Sequence, residues 1–183
     1  MTGPFTKPTL AIDMDHVMAD TGAYLCDWLN ARYKTDYSGE SFGTLRKCLP
    51  SDQKQAMMDA VHQGDIMRDL PVMEGCAEVL DALRPHYDVV IATAAMEYPG
   101  TMHPKLDWLE AHFPWIEPDS IVFCGHKQVL GTDYLLDDSP KHFPGYSGTP
   151  VLYTAPHNAD VTEYDRVDDW AAVRRYFESR IEP

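Results

Sequence analysis

The chain has 183 residues, of which 15 are Lys or Arg and 29 are Asp or Glu, so its formal net charge is −14. At roughly 150 residues per domain, this length predicts one domain with room for a small insertion. Hydrophobic residues make up 44% of the chain, enough for an ordinary buried core, which excludes wholesale disorder. A surface this acidic repels polyanions, so we expect no binding to nucleic acid polymers or to anionic membranes.

The sequence also argues against export and against a membrane span. No stretch approaches the ~18 apolar residues that a span needs. The N-terminal segment MTGPFTKPTLAIDMD lacks the charged and long apolar regions of a signal peptide. Four widely spaced cysteines form no CxxC pair: Cys26, Cys48, Cys76 and Cys124. We therefore expect reduced, mostly buried thiols and a cytoplasmic location, rather than a disulfide framework or a zinc site.

The first part of the chain predicts one strand followed by a helical insertion. Residues 9–14 (TLAIDM) form a short apolar run ending in acids, which is typical of a buried central strand. Residues 20–33 carry apolar side chains at helical spacing. Residues 34–71 lose the strand pattern and contain a further predicted helix at 53–62. We therefore assign residues 20–71 to a small helical cap, and residues 1–19 and 72–183 to the core.

After residue 71 the pattern alternates regularly between helices and strands. The predicted helices cover residues 74–83, 105–113 and 168–177, and the predicted strands cover residues 88–93, 120–124, 134–136 and 149–153. Such alternation predicts parallel crossover units. The expected fold is a three-layer α/β/α, Rossmann-like core with a parallel sheet and a small helical cap inserted after the first strand. The acidic stretch 160–169 is interpreted as a solvated surface.

Three predicted strands end in polar side chains, at Asp13-Met14-Asp15, at Thr93 and at Asp137-Asp138. A single Asp after a strand is more often a turn residue than a functional one. Together, however, these side chains would meet at one edge of a parallel sheet, where α/β proteins bind ligands. Carboxylates this close cannot all stay ionised without a cation, so we expect a hard, oxygen-bound metal, Mg²⁺ first. Lys127, shortly after another strand, would supply further positive charge.

Several segments resemble a known family. Asp13-Met14-Asp15, with Val17 and Ala19-Asp20, resembles the first motif of the haloacid-dehalogenase-like (HAD) superfamily. Later segments resemble one branch of it, the 5′(3′)-deoxyribonucleotidases: IATAAMEYP (91–99), FCGHK (123–127), DYLLDDSP (133–140) and LYTAPHN (152–158). The motifs occur in order over residues 9–158. The resemblance implies a HAD core with a small cap and a phosphatase activity.

The resemblance also implies a role for each polar residue at the strand ends. Asp13 would be the nucleophile that forms a phospho-aspartyl intermediate. Asp15 would protonate the leaving oxygen and then deprotonate the attacking water. The metal group would comprise Asp13, the backbone carbonyl of Asp15, Asp138 and, beside them, Asp137. The phosphate group would contact Thr93, the backbone near Ala94, and Lys127.

The resemblance implies a (deoxy)ribonucleoside monophosphate as the substrate and a possible homodimer. His16 stands where most relatives have Gly, and it would either contact the substrate or fill space between core and cap. Phe42, in a Gly-flanked loop, is a candidate to stack on the base. Ser139 stands where the best-known members have Arg, which leaves the base and sugar preference open. Two alternatives remain at this stage: a HAD phosphatase of another small metabolite such as a sugar phosphate, or a non-catalytic phosphate-binding module.

Overall fold

The computed structural model describes residues 5–181. Its centre is a six-stranded sheet in which every pairing is parallel and the strand order is β3-β2-β1-β4-β5-β6. The strands are β1 (Thr9–Ile12), β2 (Asp88–Thr93), β3 (Ile121–Phe123), β4 (Tyr134–Asp137), β5 (Thr149–Tyr153) and β6 (Asp165–Val167). All four residues of β1 are buried, as expected for a central strand covered on both faces.

Within residues 5–181, six α-helices accompany the sheet: α1 (Thr21–Tyr33), α2 (Phe42–Cys48), α3 (Ser51–Gln63), α4 (Cys76–Leu83), α5 (Met102–His112) and α6 (Trp170–Glu178). The first three lie between β1 and β2, in the segment assigned to the cap. Asp20 caps α1 by accepting a hydrogen bond from Ala23 N–H at 2.9 Å, and Asp169 caps α6 by accepting one from Ala172 N–H at 2.6 Å. The predicted alternation of helices and strands is confirmed.

The two faces of the sheet are covered differently. Leu10 and Ile12 of β1 belong to the larger apolar cluster, which also contains buried side chains of α4, α5 and α6. Ala11 belongs to a smaller cluster with Phe143 and Tyr146, which follow β4. The predicted α/β fold with a parallel sheet is therefore confirmed, and its second outer layer consists of 3-10 turns and loops rather than long helices.

One strand departs from the sequence analysis. β6 lies within the stretch 160–169, which was interpreted as solvated surface, and it extends the sheet beyond β5. Val167 is 2% exposed and packs into the core, whereas Asp165 is exposed. A short strand at the edge of a sheet needs only one buried side chain, so it carries no apolar run that a pattern search would detect.

The helical segment is joined to the rest of the chain at both of its ends. Asp20 N–H donates to the Pro71 carbonyl at 2.8 Å, and Met73 N–H donates to the Met18 carbonyl at 2.8 Å. Further along, Trp108 of α5 donates its ring N–H to the Leu70 carbonyl at 2.7 Å. The first two contacts bring the two ends of the helical segment together, and the third ties its C-terminal end to α5. Among residues 5–181, none of the helices is long and apolar enough to cross a membrane.

Candidate active site

The carboxyl ends of three adjacent strands carry the predicted polar side chains. Asp13 directly follows β1, Thr93 is the last residue of β2, and Asp137 is the last residue of β4. Because β1 lies between β2 and β4, these residues meet at one edge of the sheet, and Asp13 N–H donates to the Leu136 carbonyl at 2.9 Å. None of the three is more than 7% exposed.

Asp13, Asp137 and Asp138 form a buried cluster in which each residue offers a carboxylate oxygen within 4.8 Å of the other two. Lys127, in the 3-10 turn after β3, is completely buried beside this cluster. Its ammonium lies 2.6 Å from Oδ1 of Asp13 and 2.6 Å from Oδ2 of Asp137. The structure thus brings together the predicted nucleophile, both acids after β4 and the predicted lysine.

The pKa values at this cluster reflect burial and close charges. Burial, reinforced by Asp13 and Asp137, raises the pKa of Asp138 well above its ordinary value. Burial also raises the pKa of Asp13, although Lys127 opposes the shift. Burial alone would lower the pKa of Lys127, but its carboxylate partners outweigh burial and raise it. One ammonium does not balance three carboxylates, so a further cation would stabilise the ionised cluster.

The donor set of the cluster fits Mg²⁺. All of the candidate ligand atoms are carboxylate oxygens, which are the ligands that hard divalent cations prefer. Both oxygens of Asp137 are already engaged, because Oδ2 contacts Lys127 and Oδ1 accepts a hydrogen bond from Ser139 N–H at 2.8 Å. Asp13 and Asp138 are therefore the better candidates for direct ligands, and Asp137 is placed to orient Lys127 and the loop after β4.

Asp15 is held by a second lysine, which the sequence analysis did not single out. Lys105 of α5 is 3% exposed, and its ammonium contacts Oδ2 of Asp15 and, at 2.7 Å, Oγ1 of Thr93. Thr21 donates its hydroxyl to Oδ1 of Asp15 at 3.1 Å. Burial would raise the pKa of Asp15, but Lys105 outweighs burial and lowers it. The available signal was the place of Lys105, in the first turn of the helix that follows the Thr93 strand.

The loop after β5 supports Asp138 from behind. Asn158, which is 1% exposed, donates its side-chain amide to the carbonyls of Asp138 at 2.7 Å and of Tyr153 at 2.8 Å. Nε2 of His157 lies 3.1 Å from the same Asp138 carbonyl. The structure thus places His157 in contact with Asp138, a candidate metal ligand.

A cavity of about 360 Å³ contains the site. Its lining includes Asp13, Asp15, Ala94, Lys105, Asp138, Ser139 and His142 from the core, together with His16 and, from α2, Phe42, Arg46 and Lys47. Burial, reinforced by the nearby Lys127, lowers the pKa of His142 to about 4, so this ring is neutral at physiological pH. Thr93 and Lys127 are fully buried, and their hydrogen bonds go to Lys105 and to the acids rather than into open space. The cavity combines acids with several cations, which suits a small anionic ligand.

Phe42 is held at the edge of this cavity by contacts on two sides. Its ring meets the ring of Tyr98 edge to face, with 5.8 Å between centroids. The guanidinium carbon of Arg46 lies 5.6 Å from the Phe42 centroid, and Arg46 donates to the Tyr98 hydroxyl at 3.1 Å. Because Tyr98 belongs to the loop after β2, these contacts join α2 to the core beside the acids.

Comparison with known proteins gives a consistent family. Residues 7–180 match the family model described as 5′ nucleotidase, deoxy (pyrimidine), cytosolic type C protein. A Staphylococcus epidermidis protein with the provisional name 5′(3′)-deoxyribonucleotidase is 38% identical over 175 residues, covering 95% of this chain and 98% of the relative. The Bacillus subtilis 5′(3′)-deoxyribonucleotidase is 32% identical over 174 residues, covering 92% and 98%.

Solved structures agree on the fold. A HAD family hydrolase from Deinococcus radiodurans, with bound phosphate and sodium, has a TM-score of 0.64 at 16% identity and covers 94% of this chain and 96% of its own. The HAD hydrolase YfnB of Bacillus subtilis, bound to magnesium, has a TM-score of 0.58 at 11% identity, covering 93% and 98%. At such low identities these matches show the HAD fold alone. With the family model and the relatives above, they establish that this chain belongs to the 5′(3′)-deoxyribonucleotidase family and is a phosphatase of the HAD fold.

Proposed function

We propose that this protein hydrolyses deoxyribonucleoside monophosphates to nucleoside and phosphate, with Mg²⁺ as the cofactor and a phospho-aspartyl intermediate on Asp13. The observation that carries the proposal is the arrangement at the carboxyl edge of the sheet. Two carboxylates line the cavity, and each contacts a buried lysine: Asp13 contacts Lys127, and Asp15 contacts Lys105.

In the first step, a carboxylate oxygen of Asp13 attacks phosphorus, and the bond between phosphorus and the ester oxygen breaks. Lys127 holds Oδ1 of Asp13 at 2.6 Å and so limits the orientations of the nucleophile. Asp15 gives a proton to the departing oxygen, which leaves as the nucleoside hydroxyl. Mg²⁺, bound by Asp13, Asp138 and the backbone carbonyl of Asp15, would neutralise charge on the phosphoryl oxygens.

Asp15 must gain a proton before it can act as an acid, and Lys105 controls this. The lysine lowers the pKa of Asp15 while its ammonium contacts that carboxylate. A phosphoryl group that accepts hydrogen bonds from Lys105 would weaken this contact and add negative charge nearby. Both changes favour the protonated form of Asp15. In the second step Asp15, now ionised, takes a proton from the water that attacks phosphorus, and Asp13 is released as a carboxylate.

Substrate selection is assigned to the part of the cavity formed by the helical segment. Phe42 and His16 both line the cavity that contains the acids. An aromatic ring at this place offers a base a stacking surface. The family description and the names of the relatives favour a deoxyribonucleotide. The four cysteines are all free in the structure, which is compatible with the cytoplasmic location that we propose.

The first experiment measures phosphate release from ribo- and deoxyribonucleoside 5′- and 3′-monophosphates and from sugar phosphates, with Mg²⁺ and with EDTA. We expect Mg²⁺-dependent release of phosphate from deoxyribonucleotides, and we expect Asp13→Asn to abolish it. Asp160→Asn is the control, because it removes an exposed carboxylate and changes the net charge by the same amount, and it should retain the activity. Release from sugar phosphates alone would overturn the nucleotidase assignment and leave the mechanism. No release from any ester by a folded, Mg²⁺-binding protein would favour a binding module.

The intermediate is tested separately with Asp15→Asn, which lacks the base for the second step. With p-nitrophenyl phosphate, whose leaving group needs little protonation, this variant should accumulate protein that is heavier by one phosphoryl group. Mass spectrometry after acid quenching would detect the adduct on the peptide that contains Asp13. An unmodified Asp13 peptide throughout turnover by the native enzyme and this variant would contradict covalent catalysis.

A further inference from the structure

His16 has a backbone conformation that is unusual for a residue with a side chain. Its φ is 61°, in the left-handed region that glycine adopts without steric strain. The only other non-glycine residue with positive φ in the described range 5–181 is Lys34, at 58°. Lys34 ends α1 and is exposed, whereas the ring of His16 is enclosed between the core and the helical segment. We infer that the contacts of this ring offset the backbone strain.

The ring of His16 links the core to α2. Its Nε2 accepts a hydrogen bond at 3.2 Å from the backbone N–H of Phe42, the first residue of α2. That N–H has no partner within its own helix, because the first turn of a helix leaves its donors free. On the other side, the ring centroid lies 5.9 Å from that of His157. His16 thus fixes the end of α2 that carries Phe42.

The same ring separates two cavities. His16 lines the cavity of about 360 Å³ that holds the acids, and it also lines a second one of about 220 Å³. Gly22 leaves room for it, since a Cβ at Gly22 would lie 3.3 Å from Cε1 of His16. The second cavity continues toward Glu40 and Thr154, away from the acids. With glycine at position 16, the ring that lines both spaces would be absent.

We propose that His16 is a specificity-determining residue that limits the size of the base the site accepts, both by closing the rear wall of the cavity and by positioning Phe42 through α2. This inference rests on the proposed nucleotidase function. The ring of His16 denies the larger base of a purine monophosphate the space of the second cavity.

Two variants keep the left-handed backbone and remove the ring: His16→Gly and His16→Asn, since Asn tolerates this region better than other side chains and is too short to reach Phe42. In both, the ratio of kcat/KM for dUMP over dGMP should fall about tenfold, as for other changes of pocket size. Lys34→Gly is the matched control. It replaces the other left-handed residue, far from the cavity, and should keep the native ratio.

A second measurement does not depend on activity. Hydrogen exchange of the Phe42 amide should become about tenfold faster in both variants, because its acceptor is gone, and should stay native in Lys34→Gly. If dUMP and dGMP lose activity by the same factor, His16 is structural and the inference is overturned. An unchanged Phe42 exchange rate also overturns it. If the native enzyme hydrolyses no nucleotide, the proposed function fails instead, and the exchange rate still decides whether His16 positions α2.

Discussion

Lys105 is the residue whose removal tests the electrostatics of the site most directly. It is 3% exposed, and its ammonium contacts both Asp15 and Thr93. Lys105→Met keeps the length of the side chain and removes the charge. We expect kcat to fall about 100-fold, as for the loss of one preorganised donor to a developing oxyanion. Steady-state kinetics with the best nucleotide would measure the effect.

Lys34→Met is the control for this substitution, because it removes an exposed ammonium by the same chemical change. It should alter kcat by less than a factor of about two, in line with the small energies of exposed charges. A Lys105→Met enzyme with nearly native kcat and an unchanged melting temperature would show that this lysine acts neither on Asp15 nor on the phosphoryl group.

Motif spacing in the sequence predicted some contacts of the site and not others. Asp13, Asp137 and Asp138 could be placed together because each follows an apolar strand, and parallel strands end at the same edge. Lys105 does not directly follow a strand, so the strand ends did not predict its contacts. It is one polar residue in a helix of mixed polarity, and which way it points depends on how α5 packs beside β2.

Three hydrogen bonds join Thr9, the first residue of β1, to Asp133, the residue before β4. Asp133 Oδ2 accepts from the N–H and the hydroxyl of Thr9, both at 2.7 Å, and Asp133 N–H donates to Oγ1 of Thr9 at 2.8 Å. Hydrogen bonds from the Thr9 backbone and hydroxyl lower the pKa of Asp133 below its ordinary value of 3.8. Asp133 is itself exposed and its charge is screened by solvent, so Asp133→Ala should reduce the free energy of unfolding by about 0.5–1.5 kcal/mol at neutral pH.

The pH dependence of this loss follows from its sign. Because the native pKa is the lower one, the stabilisation is complete above pH 3.8 and disappears as the pH falls through the native value. Urea unfolding at about pH 7 and about pH 3 should show a large difference between native protein and Asp133→Ala at the first and a smaller one at the second. Asp160→Ala, at an exposed position, serves as the control. A difference that is the same at both pH values would contradict the assignment to the ionised carboxylate.

The end of α3 approaches the loop after β2 so closely that only glycine fits. Gly64 has φ 84°, and a Cβ there would lie 2.2 Å from the Gly100 carbonyl oxygen. Gly39 has φ 67° with nothing within 4 Å of its Cβ position, so Gly39→Ala measures backbone strain alone, about 1 kcal/mol. Gly64→Ala should lower the free energy of unfolding by about 1–3 kcal/mol more, because backbone must move. Urea unfolding of the two variants tests this, and equal losses would contradict a close contact.

Elements with buried faces were predictable, and elements at the margin were not. β2 and β5 match their predicted ranges, because a short run of apolar and β-branched residues favours a buried strand over a helix or a loop. β6 was missed because its sequence, Asp165-Arg166-Val167, has one apolar residue. The predicted strand 120–124 is shorter in the structure, where it covers Ile121–Phe123.

The charge of the whole molecule is distributed against its overall sign. The chain has a formal charge of −14, yet the cavity is lined by several cations, among them Arg46, Lys47, Lys105 and Lys141. The outer surface therefore repels polyanions, while the cavity attracts a small anion over a short range. The cations that line the cavity explain how so acidic a protein can bind a phosphate ester.

Bound Mg²⁺ should stabilise the native protein against unfolding. Asp138 is buried beside Asp13 and Asp137, and within residues 5–181 a single ammonium, that of Lys127, contacts the cluster, at Asp13 and Asp137. Mg²⁺ at about 100 times its Kd should stabilise the native protein by about 2.7 kcal/mol, which is about 5–10 °C in Tm for a chain of this size.

Asp138→Asn should have a higher Tm than the native protein in EDTA, because repulsion and desolvation of one buried carboxylate are removed, and should gain little from Mg²⁺. Asp160→Asn, with the same change in net charge at an exposed position, should respond to Mg²⁺ like the native protein. These predictions are tested by thermal unfolding of the three proteins in EDTA and in Mg²⁺. If Asp138→Asn is less stable than the native protein in EDTA, the buried carboxylate is not destabilising. If Asp138→Asn gains as much stability from Mg²⁺ as the native protein does, Asp138 is not a ligand of the ion.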